Sequence, residues 1–357
     1  MPPRWFLPLL LLSGSGCGLL LGTDDFAVDT EAPAPVGPYG GALDWLPASC
    51  ADCASAACDA SVTACIDDSA CDALLACATA AKDPGQIALC AAKYAAGGVL
   101  LGMAQTCMMD KCSAACVSDH RWDCGAAAFT WPPPIASSFT FKARVTQIFP
   151  PDPLPGLLVK ACPREGWKDP SCAHVMAQST TDKDGIFVLH DITFQTLTTI
   201  EAWNGWLDIS GPGLYPELRY WSWPTLADRD ETMSSITQEA LAGYAKAYGL
   251  TQDDDRGLVT ADVQDCYGFR APGVAIEVDA ADDKSVRLYS KGDLTFDAKA
   301  DVTSRDGVAV FVNVPAGITV LRAKEPSGKQ VACAEILVRA GGRSGVGLRP
   351  LPAGACK

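Results

Sequence analysis

Seventeen cysteines in 357 residues limit what this chain can become more than any other feature. Eleven crowd one block: Cys50, Cys53, Cys58, Cys65, Cys71, Cys77, Cys90, Cys107, Cys112, Cys116 and Cys124. Five more follow at Cys162, Cys172, Cys266, Cys333 and Cys356, and Cys17 stands alone near the start. Zinc sites show paired short spacings, often with histidines. Here Cys50-x-x-Cys53 is the one two-residue spacing, and the run from Cys107 through Cys112 to Cys116 has no matching histidine pair. Disulfides are therefore expected, no metal, and disulfides need an oxidising compartment.

The N-terminus supplies the route there. Arg4 precedes an apolar run from Trp5 to Leu12, broken by Pro8, and Ser13 to Gly16 lead to Cys17. A basic start, an apolar core of export length and small residues before a cleavage point read as a signal peptide over 1–17. The run is too short to span a bilayer. A Cys directly after Gly resembles a lipobox, whose Cys is acylated and becomes the new N-terminus, although Gly14 stands where Leu is usual. The expectation is an exported protein held by envelope lipid through Cys17, at a bacterial outer membrane, or secreted if cleavage is ordinary. Residues 18–48, acidic and rich in Pro and Gly, read as a flexible tether.

With Cys17 carrying lipid, sixteen cysteines remain. The block of eleven and the later five are both odd, so complete pairing sends at least one bridge between them. Cys124 with Cys356 is the expected pair, and Cys162 with Cys172 closes a loop of its own. Formal net charge is -14. An acidic surface lacks the Lys/Arg excess that neutralises phosphates, which excludes nucleic acid as a partner.

Two textures divide the rest. Residues 49–125 are rich in helix formers and read as short helices, with Asp68 or Ser69 capping the turn that opens at Ala70. Asp83-Pro84-Gly85 and Gly97-Gly98 break the run. Leu100 to Met109 and Cys112 to Val117 read as separate helical pieces. Helices this short are marginal alone, so cross-links replace a large core. Residues 126–137, with Trp131-Pro132-Pro133-Pro134, form a Pro-rich linker. From Phe139 onward, apolar and polar residues alternate with the period of a half-buried strand. We expect a first β-sandwich over 138–228, an amphipathic helix over 229–250 and a second sandwich over 256–357. In the helix, Ile236, Leu241, Tyr244 and Tyr248 share a face; Ser234 or Ser235 is the expected N-cap and Gly249 the C-terminal stop.

An internal repeat organises the strand-rich part. Pro155-Gly156-Leu157-Leu158-Val159 returns as Pro272-Gly273-Val274-Ala275-Ile276, and Thr181-x-x-Asp184-Gly185 returns as Thr303-x-x-Asp306-Gly307. Gly185 and Gly307 are expected to supply positive φ in tight hairpins, with Asp184 and Asp306 bonding to the turn backbone. Asp182, Asp184 and Gly185 hold only a fragment of a calcium loop. The order strand, Pro-Gly-strand, Thr-x-x-Asp-Gly-strand and Pro315-x-Gly317-strand resembles the carboxypeptidase regulatory-like, or transthyretin-like, sandwich. The resemblance covers roughly 139–224 loosely and 256–348 better. It implies a two-sheet, seven-stranded fold per copy and a module without catalysis of its own. The first copy departs from it, with Phe194-Gln195-Thr196-Leu197 where the second has Pro-x-Gly.

No nucleophile elbow, His-Glu-x-x-His or phosphate loop occurs. His120, His174 and His190 are the only histidines. On paper, Tyr215, Tyr220, His174 and His190 could build the iron site of an intradiol-type oxygenase, but the close His-x-His spacing is absent. The unusual feature is aromatic density: Trp203, Trp206, Tyr215, Tyr220, Trp221 and Trp223. These rings either fill the sandwich core or form a platform for a polysaccharide or another protein. On the platform reading Trp203, Trp206, Tyr220, Trp221 and Trp223 contact the ligand. The overall expectation is a non-catalytic, cofactor-free surface lipoprotein with binding or scaffolding modules.

Overall fold

The computed structural model describes residues 48–80, 90, 93–116 and 137–351, apart from 149, 165–170, 198–199, 227, 267–268 and 293–294, together with Leu43, Leu46 and Trp122. The expected signal segment, tether and Pro-rich linker lie outside the described residues, as do Cys17, Cys124, Cys356 and His120. No helix among the described residues is long and apolar enough to cross a membrane.

The N-terminal unit is helical: α1 (Ala48–Ala57), α2 (Asp59–Asp67), α3 (Ser69–Ala80), a 3-10 turn at Ala95–Gly97 and α4 (Gly98–Cys116). Asp68 caps α3, its Oδ1 accepting from the Ala70 and Cys71 N–H groups at 3.0 and 2.9 Å. Three bridges, Cys50–Cys116, Cys53–Cys112 and Cys58–Cys107, run up α1 to the residue just beyond it and down α4. That order makes the two segments antiparallel and zips them together. Cys65–Cys71 joins α2 to α3, and Cys77–Cys90 ties α3 to the following segment. The expected break between Met109 and Cys112 does not occur; α4 is one helix of 19 residues. A chain clamped along its length by three bridges has no freedom to interrupt there. Gly97 is required by packing, since a Cβ there would lie 2.5 Å from the Ala70 carbonyl oxygen.

The first strand-rich copy sets β1 (Ser138–Gln147), β4 (Ile186–Thr193) and β9 (Arg229–Ser235) in a sheet of order β4-β1-β9. Against it pack β2 (Leu158–Cys162), β3 (Ala177–Thr180), β7 (Trp206–Ser210) and β8 (Glu217–Trp221), with Phe141, Phe187, Val159 and Ile209 buried between. Where this copy lacks the Pro-x-Gly step, β5 (Gln195–Leu197) and β6 (Ile200–Ala202) form an extra hairpin. The second copy has β12 (Val286–Ser290), β13 (Phe296–Asp297), β14 (Val308–Pro315), β10 (Arg256–Val263) and β17 (Arg343–Leu348) on one side. On its other side lie β11 (Ala275–Val278), β15 (Gly317–Lys324) and β16 (Gln330–Val338), in order β11-β15-β16.

The repeat holds bond by bond. Strand β1 pairs antiparallel with β4 and parallel with β9; β10 does the same with β14 and β17. Thr181 Oγ1 accepts from Leu157 N–H at 2.8 Å and donates to the Leu154 carbonyl at 2.7 Å. Thr303 Oγ1 accepts from Val274 N–H at 3.0 Å and donates to the Ala271 carbonyl at 2.7 Å. Each copy also carries a β-bulge, next to Asp191 in β4 and Asn313 in β14, two of the three non-glycine residues at positive φ among the described residues.

The Asp-Gly turns are not hairpins. Strands β3 and β4 belong to different sheets, so the turn at Gly185 (φ 74°) crosses between them. In the first copy it is Asp182, not Asp184, that binds the turn, its Oδ1 accepting from the Asp184 and Ile186 N–H groups at 2.9 Å each. Those bonds, the Ile186 one foremost, lower the pKa of the Asp182 carboxyl.

Two further expectations change. Residues 229–235 form β9 rather than the start of the helix, because they pair in register with β1 from Phe141–Arg229 to Gln147–Ser235. The helix, α5, spans Gln238–Tyr248; its N-cap is Thr237, whose Oγ1 accepts from Ala240 N–H at 3.1 Å, and Gly249 ends it at φ 64°. More consequentially, the copies are not two separate sandwiches. Strand β17 pairs parallel with β8, fusing one sheet of each copy into a nine-stranded sheet of order β13-β12-β14-β10-β17-β8-β7-β2-β3. The helical unit also docks on this body: Phe269 of the second copy sits in the helical core, while Trp122 packs into the core of the second copy.

Candidate cleft at the join of the two copies

The fused sheet brings groups from both copies around one half-open cleft of about 240 Å³. From the first copy come Arg164, Asn204, Gly205, Tyr220 and Ser222; from the second, Val320, Ala334 and Glu335, with Leu351 at the wall. Arg164 lies two residues beyond Cys162, which is bridged to Cys172 and so anchors the loop to β2. Across the cleft Cys333, in β16, is also disulfide-bonded, as is Cys266. Gly205 is there because nothing larger fits: an added Cβ would lie 2.1 Å from the Cys162 carbonyl oxygen.

Arg164 reaches over to β16. Its NH1 donates to the Glu335 carbonyl at 3.4 Å and its NH2 lies 3.7 Å from Glu335 Oε2. Charge-assisted pairs settle nearer 2.7–2.9 Å, so the contact with Glu335 is a long one. Burial lowers the Arg164 pKa, with Glu335 opposing. Burial likewise pushes the Tyr220 phenol up. The Ser222 hydroxyl accepts from Arg349 N–H at 2.9 Å.

Behind the cleft, ionic groups hold the seam. Arg343 of β17 is buried, with NH1 3.2 Å from Glu217 Oε2 and 2.9 Å from the Ser234 carbonyl, while Nε donates to Thr260 Oγ1 at 2.9 Å. Arg219 Nε is 3.1 Å from Glu217 Oε1, and its NH2 donates to the same Ser234 carbonyl at 3.1 Å. One carboxylate thus serves β8, β9, β10 and β17 through two guanidinium groups.

Of the two readings left open for the aromatic cluster, burial favours the core over the platform. Trp203 and Trp206 are each 1% exposed and Tyr220 3%. Trp203 packs among Phe139, Phe141 and Trp221 inside the first copy. Trp206 stacks on Tyr220 with ring centroids 6.2 Å apart, toward the second copy. Trp221, half-buried, turns to the opposite side of β8 from Tyr220 and carries the Arg229 guanidinium 4.5 Å over its ring. Trp223 is buried and donates to the Pro350 carbonyl at 2.8 Å. These rings are packing material, since large aromatics contribute most where they leave water.

The four residues weighed for an oxygenase are not brought together. Tyr215 and Tyr220 lie in different apolar clusters, and His174 and His190 are exposed. Burial, helped by Asp254, pushes the Tyr215 phenol up to about 12, outside the range of a ready iron ligand. Among the described residues no three His, Cys, Asp or Glu side chains converge as metal ligands would. Reading the sequence missed Arg164, Glu335, Glu217 and Arg343. Only Arg164 left a trace there, as a cation just inside a loop closed by two cysteines.

No protein-family model matches the chain, and no curated protein does. Among solved structures, the shaft pilin SpaA of Lactobacillus rhamnosus GG shares 13% identity over 62% of this chain and 100% of its own, with a TM-score of 0.20. The minor pilin of Streptococcus agalactiae shares 11% over 62% of this chain and 99% of its own, with a TM-score of 0.19. The Bacillus anthracis TIE protein shares 8%, covering 60% of this chain and 34% of that one, with a TM-score of 0.20. TM-scores this low do not bear on the fold or the role of this chain. Its own architecture is a disulfide-rich helical unit followed by β-sandwich-type sheets.

Proposed function

We propose that this chain is a non-catalytic binding or scaffolding protein, exported and held at a bacterial envelope by lipid on Cys17. Its two copies read as carboxypeptidase regulatory-like sandwiches, a reading supported by the matched Pro-Gly, Thr and Asp-Gly turn positions. The observation that carries the proposal is the investment in fixed form. Among the described residues five bridges cross-link the helical unit, one closes the Arg164 loop, and a shared sheet joins the copies. Disulfides of this density belong to oxidising compartments, and residues so arranged present a surface rather than a reaction centre.

The test is expression in a bacterial host fed an alkyne fatty acid. Label is expected on the wild type and in its membrane fraction, and absent from Cys17→Ser, which is released in soluble form. Unlabelled wild-type protein whose cysteines in the three α1–α4 bridges alkylate without prior reduction would remove the proposal.

A further inference from the structure

We propose that the outer edge of β4 binds an extended segment of a partner protein, as an added antiparallel strand whose residue opposite Phe187 is small. The inference rests on the reading of the chain as a binding protein and names the class of its partner.

The repeat shows what covers this edge when it is covered. Val145 N–H donates to the Gly185 carbonyl, and Val263 N–H donates to the Gly307 carbonyl. Backbone groups alternate sides along a strand. Phe187 and Leu189 of β4 therefore bond to β1, as Ala309 and Phe311 of β14 bond to β10. Val188 and His190 turn their N–H and carbonyl groups the other way, and so do their counterparts Val310 and Val312. In the second copy β12 takes those groups, with Leu288 opposite Val310 and Val286 opposite Val312. In the first copy the strand at that point of the chain, β3, pairs with β2 instead, and β4 ends its sheet. Ile186 uses both its outward groups on Asp182: its N–H donates to Oδ1 at 2.9 Å, and its carbonyl accepts from Asp182 N–H at 2.8 Å. Among the described residues nothing bonds the outward groups of Val188 and His190, and the His190 side chain is exposed. Val188 is neither of the residues, Pro or Lys, that commonly blunt an open edge.

Side-chain size then selects the strand. In the second copy Tyr289 of β12 stands opposite Ala309, fully buried, with its hydroxyl accepting from Ile276 N–H at 2.8 Å. The first copy reverses the sizes. Phe187 holds the place of Ala309, buried and stacked on Phe141 with ring centroids 6.0 Å apart. Val159, the counterpart of Ile276, already pairs with Ser179 of β3. A close-packed interior leaves no room for a second ring beside Phe187, so the incoming strand carries Gly, Ala or Ser there. Backbone bonds to Val188 and His190 supply the affinity, and this one position supplies the selectivity.

The probe is the chain's own covering sequence, residues 285–291, as a fluorescein-labelled peptide in its natural form and with Tyr289→Ala. Titrated against the full chain, the Tyr289→Ala peptide should saturate at millimolar concentration, and the natural peptide should bind at least fivefold more weakly. Residue-resolved hydrogen exchange should slow severalfold at the Val188 and His190 amides. N-methylation of the peptide at Leu288, which removes the N–H facing Val188, should abolish binding. His190→Pro in the protein, which removes one edge donor, should weaken it at least fivefold with wild-type circular dichroism. Equal binding of the two peptides, unaltered binding after N-methylation, no saturation at millimolar concentration, or protection away from β4 overturns the proposal. A dimer of the free chain that protects the same two amides gives the edge to a second copy and also overturns it. Failure here with Cys17 lipidated leaves the envelope reading standing, and the reverse outcome leaves the edge standing.

Discussion

Replacing Glu217 by Ala should be among the most destabilising single changes available in this chain. The carboxylate is fully buried and lies 3.2 Å from Arg343 NH1 and 3.1 Å from Arg219 Nε. After the change, Arg343 keeps two neutral acceptors, the Ser234 carbonyl and Thr260 Oγ1, and loses its counter-ion. Burial already lowers the Arg343 pKa, and Arg219 lowers it further, with Glu217 the main opposing influence. Arginine does not escape by deprotonation. Two guanidinium groups are then left facing each other in the seam. Breaking one side of a buried pair costs about 3–5 kcal/mol, which at roughly 2–4 °C per kcal/mol for a body of this size lowers Tm by about 6–20 °C. Replacing both partners, as Glu217→Leu with Arg343→Met, removes the orphaned charge and should restore most of the loss. The assay is urea unfolding followed by tryptophan fluorescence with disulfides intact. A loss under about 1 kcal/mol for Glu217→Ala, or a double variant no better than the single one, would refute the view that this carboxylate locks the join.

Three further outcomes follow from the same geometry. Thr181→Val and Thr303→Val each strip a buried hydroxyl of one donor and one acceptor role, so both should cost about 1–3 kcal/mol in urea unfolding; unequal costs would mean the two turns are not equivalent. In the helical ladder, Cys50–Cys116 spans 66 residues, but with Cys53–Cys112 intact it closes only a short additional loop. Its removal by paired Cys→Ser changes should cost about 2–3 kcal/mol rather than the roughly 4 kcal/mol of an isolated bridge of that span, read from helical circular dichroism on urea titration. Asp282 is held well below the usual carboxylate range, first by its bond with Arg256 at 2.8 Å. A depressed folded pKa means a stability contribution present above the unfolded carboxylate pKa and lost as pH falls through the lower folded value. Asp282→Asn should therefore flatten the fall of Tm with acid below about pH 4 and leave Tm against pH unchanged in slope near neutrality.

Much of the fold was legible because its signals are local. Cysteine density declares cross-linking, Asp68 declares a helix start, and the Pro-Gly and Asp-Gly steps mark each copy at the same points. The start of α5 was not, because Thr232 to Ser235 read as well in a helix as in a strand. Pairing with β1, some ninety residues earlier in sequence, decides the matter. Nor was the seam. Glu217 and Arg219 alternate with Leu218 and Tyr220 as solvent-facing residues do, Arg343 sits in a Gly/Ser-rich turn-like stretch, and nothing local shows that another copy covers them. The aromatic cluster was equally ambiguous: a ring at a strand position fills a core or faces water according to what packs against it, and here the second copy covers Trp206 and Tyr220 while β1 covers Trp203 and Trp221.

The way the copies join bears on how the cleft must work. Were the sandwiches linked by a hinge, ligand would close them, and affinity would be reduced by the cost of ordering the closed state. Here both walls are fixed before any ligand arrives. Arg164 is carried by a loop bridged to β2, which lies two strands from β8 in the same sheet that contains β17. Glu335 is carried by β16, which packs against β17 and is tied by its own disulfide at Cys333. Separating the walls would require breaking the parallel pairing of β8 with β17 and exposing Glu217 and Arg343 together. That opening is too costly to be part of a working cycle, so the cleft between the copies is preformed.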